Sequence, residues 1–237
     1  MPPLFDARPL HFDEYRTVQK PKRRYSVLIE AVIFDVYGTL LQIGERRRPF
    51  RNLLKQARSQ GRQPRADDAR TLMTQNVGLA GAANLFGTQL GNVELATLEL
   101  DLYAELASVR PYDDALRALE SLKRAGLKVA LCSNLATPYA IPAMLLLPEF
   151  DAYAWSFEVG AIKPEPAIYD HLVKRLDCKA SSIAMIGDTL EADVLGPERL
   201  GVHGFHLRRD AIRGPDRFAS LIEFADQILG MGTVTRT

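Results

Sequence analysis

The feature that most constrains this chain is a short, nearly unbroken apolar run that stops abruptly at Asp35. It reads Val27-Leu28-Ile29, then Ala31-Val32-Ile33-Phe34. A strand with one wet face alternates apolar and polar residues. A continuous run of this length marks a strand buried on both faces, as in a parallel sheet covered by helices. From Pro111 onward the sequence supplies both strands and helices. Residues 113–125 predict an amphipathic helix with Leu116, Leu119 and Leu122 on one face, stopped by Gly126. Residues 127–132 predict a buried strand, 138–149 a helix ending near Pro148, and 152–157 a third strand. Residues 165–176 predict a helix, with Pro164 and Pro166 suited to its start. Residues 183–186 follow as a strand, 191–200 as a helix stopped by Gly201, and 202–207 as the last strand. Strand–helix alternation of this kind implies an α/β fold, a doubly wound parallel sheet with helices on both faces.

Residues 45–111 have a different texture. They open on Glu45-Arg46-Arg47-Arg48 and are rich in Ala, Leu, Gln and Arg. Leu95, Leu98, Leu102 and Leu106 recur at helical spacing. The small residues of 78–91 suit a loop or a close-packed helix. This stretch reads as a helical cap inserted into an α/β core made of 27–44 and 112–237. Residues 1–26 read as an N-terminal arm, with Phe5, Phe12 and Tyr15 available for packing. Its run Lys20-Pro21-Lys22-Arg23-Arg24 reads as a solvated linker rather than a nucleic-acid contact.

At 237 residues the chain has room for one large domain, or a domain with an insert. Its 47% apolar and 25% charged residues suit a globular core. The net charge of +1 favours neither nucleic acid nor membrane as partner. No segment approaches the ~20 apolar residues of a membrane span, and the N-terminus lacks the apolar centre of a signal peptide. Cys132 and Cys178 have neither disulfide-framework nor zinc-site spacing, which fits a cytoplasmic protein. Oligomeric state is open, and a small-molecule substrate is the expected partner.

In a doubly wound sheet, ligands bind where the strands end at their carboxyl edges. The polar residues just past each apolar run are therefore the candidates. They are Asp35, with Tyr37 and Thr39 behind it; Ser133-Asn134; Lys163-Pro164; and Gly187-Asp188, with Asp193 five residues on. Taken singly, each could be a turn residue or a helix cap. Together, and in this order, they bring carboxylates, a hydroxyl and a cation to one rim.

The ordered set resembles the haloacid-dehalogenase-like hydrolase superfamily, in its branch with a helical cap after the first strand. FDVYGTL (34–40), LCSNL (131–135), KPEPAIY (163–169) and GDTLEADVLGPERLG (187–201) carry the resemblance. It implies that Asp35 is the nucleophile of a covalent aspartyl intermediate, that Thr39 orients it or contacts the transferred group, and that Ser133 binds that group's oxygen. Tyr37 and Asn134 would line the substrate side. Lys163 would balance developing negative charge. Mg²⁺ would be held by Asp35, the Tyr37 backbone carbonyl, Asp188 and Asp193.

Two features depart from the pattern in opposite directions. Phosphate-transferring members carry an acid–base Asp where this chain has Tyr37, and a phenol of ordinary pKa near 10 is a poor base at neutral pH. Tyr at that place is similar to the 2-haloacid dehalogenases, which need no metal. Those enzymes carry Ser–Ser–Asn in the last motif, however, and here the run is Asp188-Thr189-Leu190. The reading is a Mg²⁺-dependent phosphatase acting on a small phosphate ester. The alternatives are a metal-independent dehalogenase-like hydrolase and a binding protein that has lost efficient turnover; the dehalogenases use a cap arginine, and Arg62, Arg65 and Arg70 lie near that stretch but read first as a solvated helix face. Tyr169 does not discriminate among them. His11, His171, His203 and His206 fall off the rim and take no role.

Overall fold

The computed structural model describes residues 28–210 and 217–231, so the expected arm at 1–26 lies outside the described residues. Among the described residues eight strands are formed: β1 (Ala31–Phe34), β2 (Leu41–Ile43), β3 (Val109–Pro111), β4 (Lys128–Ser133), β5 (Ala152–Trp155), β6 (Ile183–Gly187), β7 (His203–Leu207) and β8 (Arg217–Phe218). Six of them make a parallel sheet in the order β5-β4-β1-β6-β7-β8. From β1 the chain first adds strands on one side and then on the other. The carboxyl end of β1 is therefore the switch point of the sheet, where a crevice opens.

The helices are α1 (Pro49–Ser59), α2 (Asp68–Met73), α3 (Leu79–Leu85), α4 (Asn92–Ala107), α5 (Ala115–Arg124), α6 (Ala140–Leu146), α7 (Ser156–Val159), α8 (Pro166–Leu176), α9 (Gly196–Glu198) and α10 (Leu221–Gly230). Successive residues of a strand point to opposite faces, and β1 shows what that does here. Val32 and Phe34 pack with α5 and α10 on one side, and Ala31 and Ile33 pack with α8 on the other. Both faces are dry, which is why the run is continuous and not alternating.

Helices α1–α4 bury Phe50, Leu53, Leu79, Ala82, Leu98 and Leu102 in an apolar cluster that Ala136, from the turn after β4, joins. The chain leaves the sheet for these helices through β2 and returns through β3. The two strands pair antiparallel, Leu41 opposite Pro111 and Ile43 opposite Val109, so both crossings are held side by side.

Several sequence expectations need correction. Residues 202–207 do not hold the last strand, because β8 and α10 follow. Expected strand 152–157 stops at Trp155, and its remainder is the turn of helix α7. Expected helix 191–200 is a π-helical turn over Leu190–Leu195 followed by α9. On α5 the core face is Ala115, Ala118, Leu119 and Leu122, and Leu116 is 46% exposed. That face follows the i, i+3, i+4, i+7 rule, with alanines where leucine alone had been counted. Strands β2 and β3 are three residues each, too short for any periodicity to register.

Candidate active site

The strand β1 backbone hands Asp35 to the crevice: its N–H donates to the Ile186 carbonyl of β6 at 3.0 Å, and the chain then turns away. Gly38 makes the turn. It has φ of +93°, and an added Cβ would lie 2.1 Å from Asp188 Oδ2. Only glycine meets both demands, the left-handed backbone and the close approach. Gly187 meets the second demand alone, since an added Cβ would lie 2.3 Å from the carboxyl carbon of Asp193.

Lys163 is the charge centre of the site. It is 5% exposed, and its Nζ donates to Asp35 Oδ1 at 2.7 Å and to Asp193 Oδ1 at 2.6 Å. A buried ammonium requires such partners. Asp193 Oδ2 accepts the Thr189 N–H at 2.9 Å. Tyr169 fixes the same π-helical turn by donating its hydroxyl to the Ala192 carbonyl at 2.5 Å. No motif marks Tyr169 for this contact. Asp188 is exposed at the mouth. One carboxylate oxygen from each of Asp35, Asp188 and Asp193 lies within 4.8 Å of the others. Three hard oxygen donors facing one ammonium fit a divalent cation such as Mg²⁺.

The same crowding acts on protonation. Burial pushes the Asp35 carboxyl up to about 6, with Asp193 and Asp188 adding to the rise and Lys163 opposing it. Lys163 is held well above its ordinary range by Asp193 and Asp35, against its burial. The Cys132 thiol is pushed up to about 12 by burial, so it is no thiolate nucleophile.

A cavity of about 330 Å³ opens over these groups, and Asp35, Tyr37, Ser133, Asn134, Lys163 and Asp188 line it. Not every expected residue does what the motif suggested. Asn134 clamps Lys163: its Oδ1 accepts the Lys163 N–H at 2.7 Å and its Nδ2 donates to the Lys163 carbonyl at 2.8 Å. Thr39 is fully buried, does not line the cavity, and its hydroxyl has no hydrogen-bond partner among the described residues. Its carbonyl accepts from Arg209, which is paired with Asp114. The Tyr37 hydroxyl donates to the Tyr139 carbonyl at 2.8 Å, and burial raises its pKa further above the ordinary phenol value.

Residues the motifs did not mark also reach the site. His206, opposite Gly187 in the β6–β7 register, places Nε2 3.0 Å from the Asp188 carbonyl. A carbonyl only accepts, so Nε2 carries the proton. Reading the strand register would have found it. Glu191 lines the cavity, but Arg199 holds its carboxylate at 2.6 Å. Of the expected cap arginines, Arg62 forks onto Asp68 and Arg70 onto Glu165. None of Arg62, Arg65 and Arg70 lines the cavity.

The family described as haloacid dehalogenase-like hydrolase matches residues 29–201. The chain belongs to that family. As a haloacid dehalogenase-like hydrolase it is similar to relatives of both chemistries. A ribulose-1,5-bisphosphate 5-phosphatase of Halopiger xanaduensis is 31% identical over 140 residues, 56% of this chain and 58% of that protein. The match thus spans little more than half of the phosphatase relative's length. An (S)-2-haloacid dehalogenase of a Pseudomonas species is 28% identical over 209 residues, 81% of this chain and 88% of that protein. The crystal structure of a HAD phosphatase from Thermococcus onnurineus superposes with a TM-score of 0.62 at 24% identity, covering 87% of this chain and all of that one. At that identity the likeness shows the shared fold.

Proposed function

We propose that this hydrolase is a Mg²⁺-dependent phosphatase of small phosphate esters, with Asp35 as its nucleophile. The observation that carries the reading is the meeting of three carboxylates, Asp35, Asp188 and Asp193, of which Lys163 pairs with only Asp35 and Asp193. Like charges ~4 Å apart repel by ~1 kcal/mol in water and ~4 kcal/mol at an effective dielectric near 20. A second cation relieves that repulsion. Asp35, Asp188 and the Tyr37 backbone carbonyl would hold the ion. Asp193, whose oxygens already accept from Lys163 and Thr189, would act from behind. When bound, the ion would neutralise phosphate charge and turn phosphorus toward the nucleophile.

In this reading the free Asp35 oxygen attacks phosphorus as the ester P–O bond breaks. The alcohol oxygen leaves with that electron pair and takes a proton from solvent. Lys163 and Ser133 bind the charged oxygens of the transferred group. Water then attacks the aspartyl phosphate and releases phosphate and the Asp35 carboxylate. The Tyr37 hydroxyl takes no part in moving protons, because it is committed to Tyr139. Helices α1–α4 serve as the cap, seated on the core through an apolar cluster that includes Ala136 of the turn after β4, and none of their residues lines the cavity. Cys132 and Cys178 are not joined in a disulfide, in keeping with a reducing, cytoplasmic setting. No helix among the described residues is long and apolar enough to cross a membrane.

Tyr37 favours a second reading, halide displacement at a carbon centre, in which the same Asp35 oxygen attacks carbon. Asp188, where the dehalogenases carry Ser, weighs against it. The test pairs p-nitrophenyl phosphate plus Mg²⁺ with 2-chloropropionate. The proposal expects phosphate release that chelator and Asp35→Asn abolish. Halide release insensitive to chelator overturns it in favour of the second reading.

A further inference from the structure

Glu105 is a buried carboxylate that this chemistry does not use. It sits on α4 and is 4% exposed. Such a group is tolerated only when its oxygens are satisfied. Oε2 accepts the backbone N–H groups of Arg47 and Arg48 at 2.5 and 2.6 Å, and Oε1 accepts the Tyr139 hydroxyl at 2.8 Å. The partners come from different parts of the molecule. Arg47 and Arg48 form the linker from β2 into α1, and Arg48 is left-handed at φ 57°, uncommon for a residue with a side chain. Tyr139 belongs to the turn that follows β4. Its ring lies 6.2 Å from Phe50 of α1 and stands edge-on to Tyr37 at 5.9 Å. Its carbonyl accepts the Tyr37 hydroxyl. Tyr37 is two residues past Asp35 and walls the cavity. Tyr139 thus links the cap linker to the wall beside the nucleophile, its hydroxyl bonded on one side and its backbone carbonyl on the other.

We propose that Glu105 is a positioning residue that couples the seating of helices α1–α4 to Tyr37, through Tyr139. With α4 seated, Glu105 holds both the linker and Tyr139, and Tyr139 holds the Tyr37 hydroxyl on its own carbonyl rather than on Asp35. When α4 lifts, Tyr139 loses its anchor, and Tyr37 loses a fixed acceptor. The two arrangements differ by one charge-assisted hydrogen bond and its aromatic contacts, a discrete pair of states. The coupling acts on how the cavity accepts substrate. It does not act on bond breaking, because neither Glu105 nor Tyr139 lines the cavity.

Hydrogen exchange on the full chain tests this without any substrate. Tyr139→Phe deletes only the hydroxyl and keeps the ring and the carbonyl. It is expected to speed exchange at residues 37–41 about tenfold or more, although Glu105 is remote in sequence. Glu105→Gln, which keeps a carbonyl oxygen for Tyr139, is expected to fall between. Arg70→Ala breaks an exposed tie between α2 and Glu165 and is expected to leave 37–41 unchanged. The kinetic arm alone rests on the proposed hydrolase reading: KM rises on the order of fivefold in Tyr139→Phe while kcat stays within about twofold. Native-like exchange at 37–41 in Tyr139→Phe would overturn the coupling, and so would equal acceleration in Arg70→Ala. A wild type without turnover on either substrate removes the hydrolase reading, while the exchange result still decides the relay.

Discussion

Replacing Lys163 by Met tests the electrostatic core of the site. The side chain keeps its length and loses its charge, so packing is largely conserved. The loss falls on two contacts, 2.7 Å to Asp35 and 2.6 Å to Asp193, both made in a buried setting. Each contact is worth ~6 kcal/mol of bare attraction at an effective dielectric near 20. Most of that is cancelled by the desolvation the variant no longer suffers. Breaking a buried pair and leaving its carboxylates behind costs ~3–5 kcal/mol net. For a chain of this size that is a fall in melting temperature of ~6–20 °C. The cause predicts two further signs. At pH 5, below the wild-type value of about 6, Asp35 is already protonated and its ion pair with Lys163 is gone, so the loss should shrink. At pH 8, Mg²⁺ at ten times its dissociation constant should restore ~1.4 kcal/mol. Thermal melts at pH 5 and pH 8, with and without Mg²⁺, measure all three. A fall of the same size at both pH values, or one below ~1 kcal/mol at pH 8, would refute the assignment of Lys163 as counter-ion to a carboxylate cluster.

Other outcomes follow from the same geometry. Asp35 has a folded pKa raised from 3.8 to about 6, so the native state holds its proton more tightly than the unfolded chain. Metal-free stability should therefore fall as pH rises from about 4 to about 6, by on the order of 2–3 kcal/mol, and denaturant titrations of Asp35→Asn should show that slope removed. Turnover needs the ionised carboxylate, and because a bound cation favours that form, the acid limb of a kcat/KM profile measured with Mg²⁺ should lie below the metal-free value of about 6. Tyr37→Asp restores a carboxylate at the acid–base place. It should raise aryl phosphate hydrolysis, toward the ~10²–10⁴-fold that such a group supplies; steady-state kinetics showing no gain would mean the cavity wall, not the missing proton carrier, limits phosphate turnover. Gly38→Ala drives a Cβ into Asp188. Calorimetry should show Mg²⁺ binding weakened at least tenfold, with a stability loss of ~1–3 kcal/mol from the strained backbone.

What the sequence determined is what depends on local chemistry and period. Continuous apolar runs ending in polar residues give buried parallel strands and place Asp35, Ser133 and Asp188 at one edge, since that pattern has one low-energy use. Helix spacing revealed α4 and α5 for the same reason. Contacts between distant segments decided the rest. Asn134 became a clamp on the Lys163 backbone, His206 reached the Asp188 carbonyl through strand register, and Thr39 turned inward away from the cavity. Tyr37 was legible as an anomaly, but only the fold showed that its hydroxyl is tied to Tyr139, and through it to Glu105. A residue's type and its neighbours set what it is able to do. Which partner satisfies a buried polar atom is settled by side chains that come together from a hundred residues apart, and no periodicity encodes that choice.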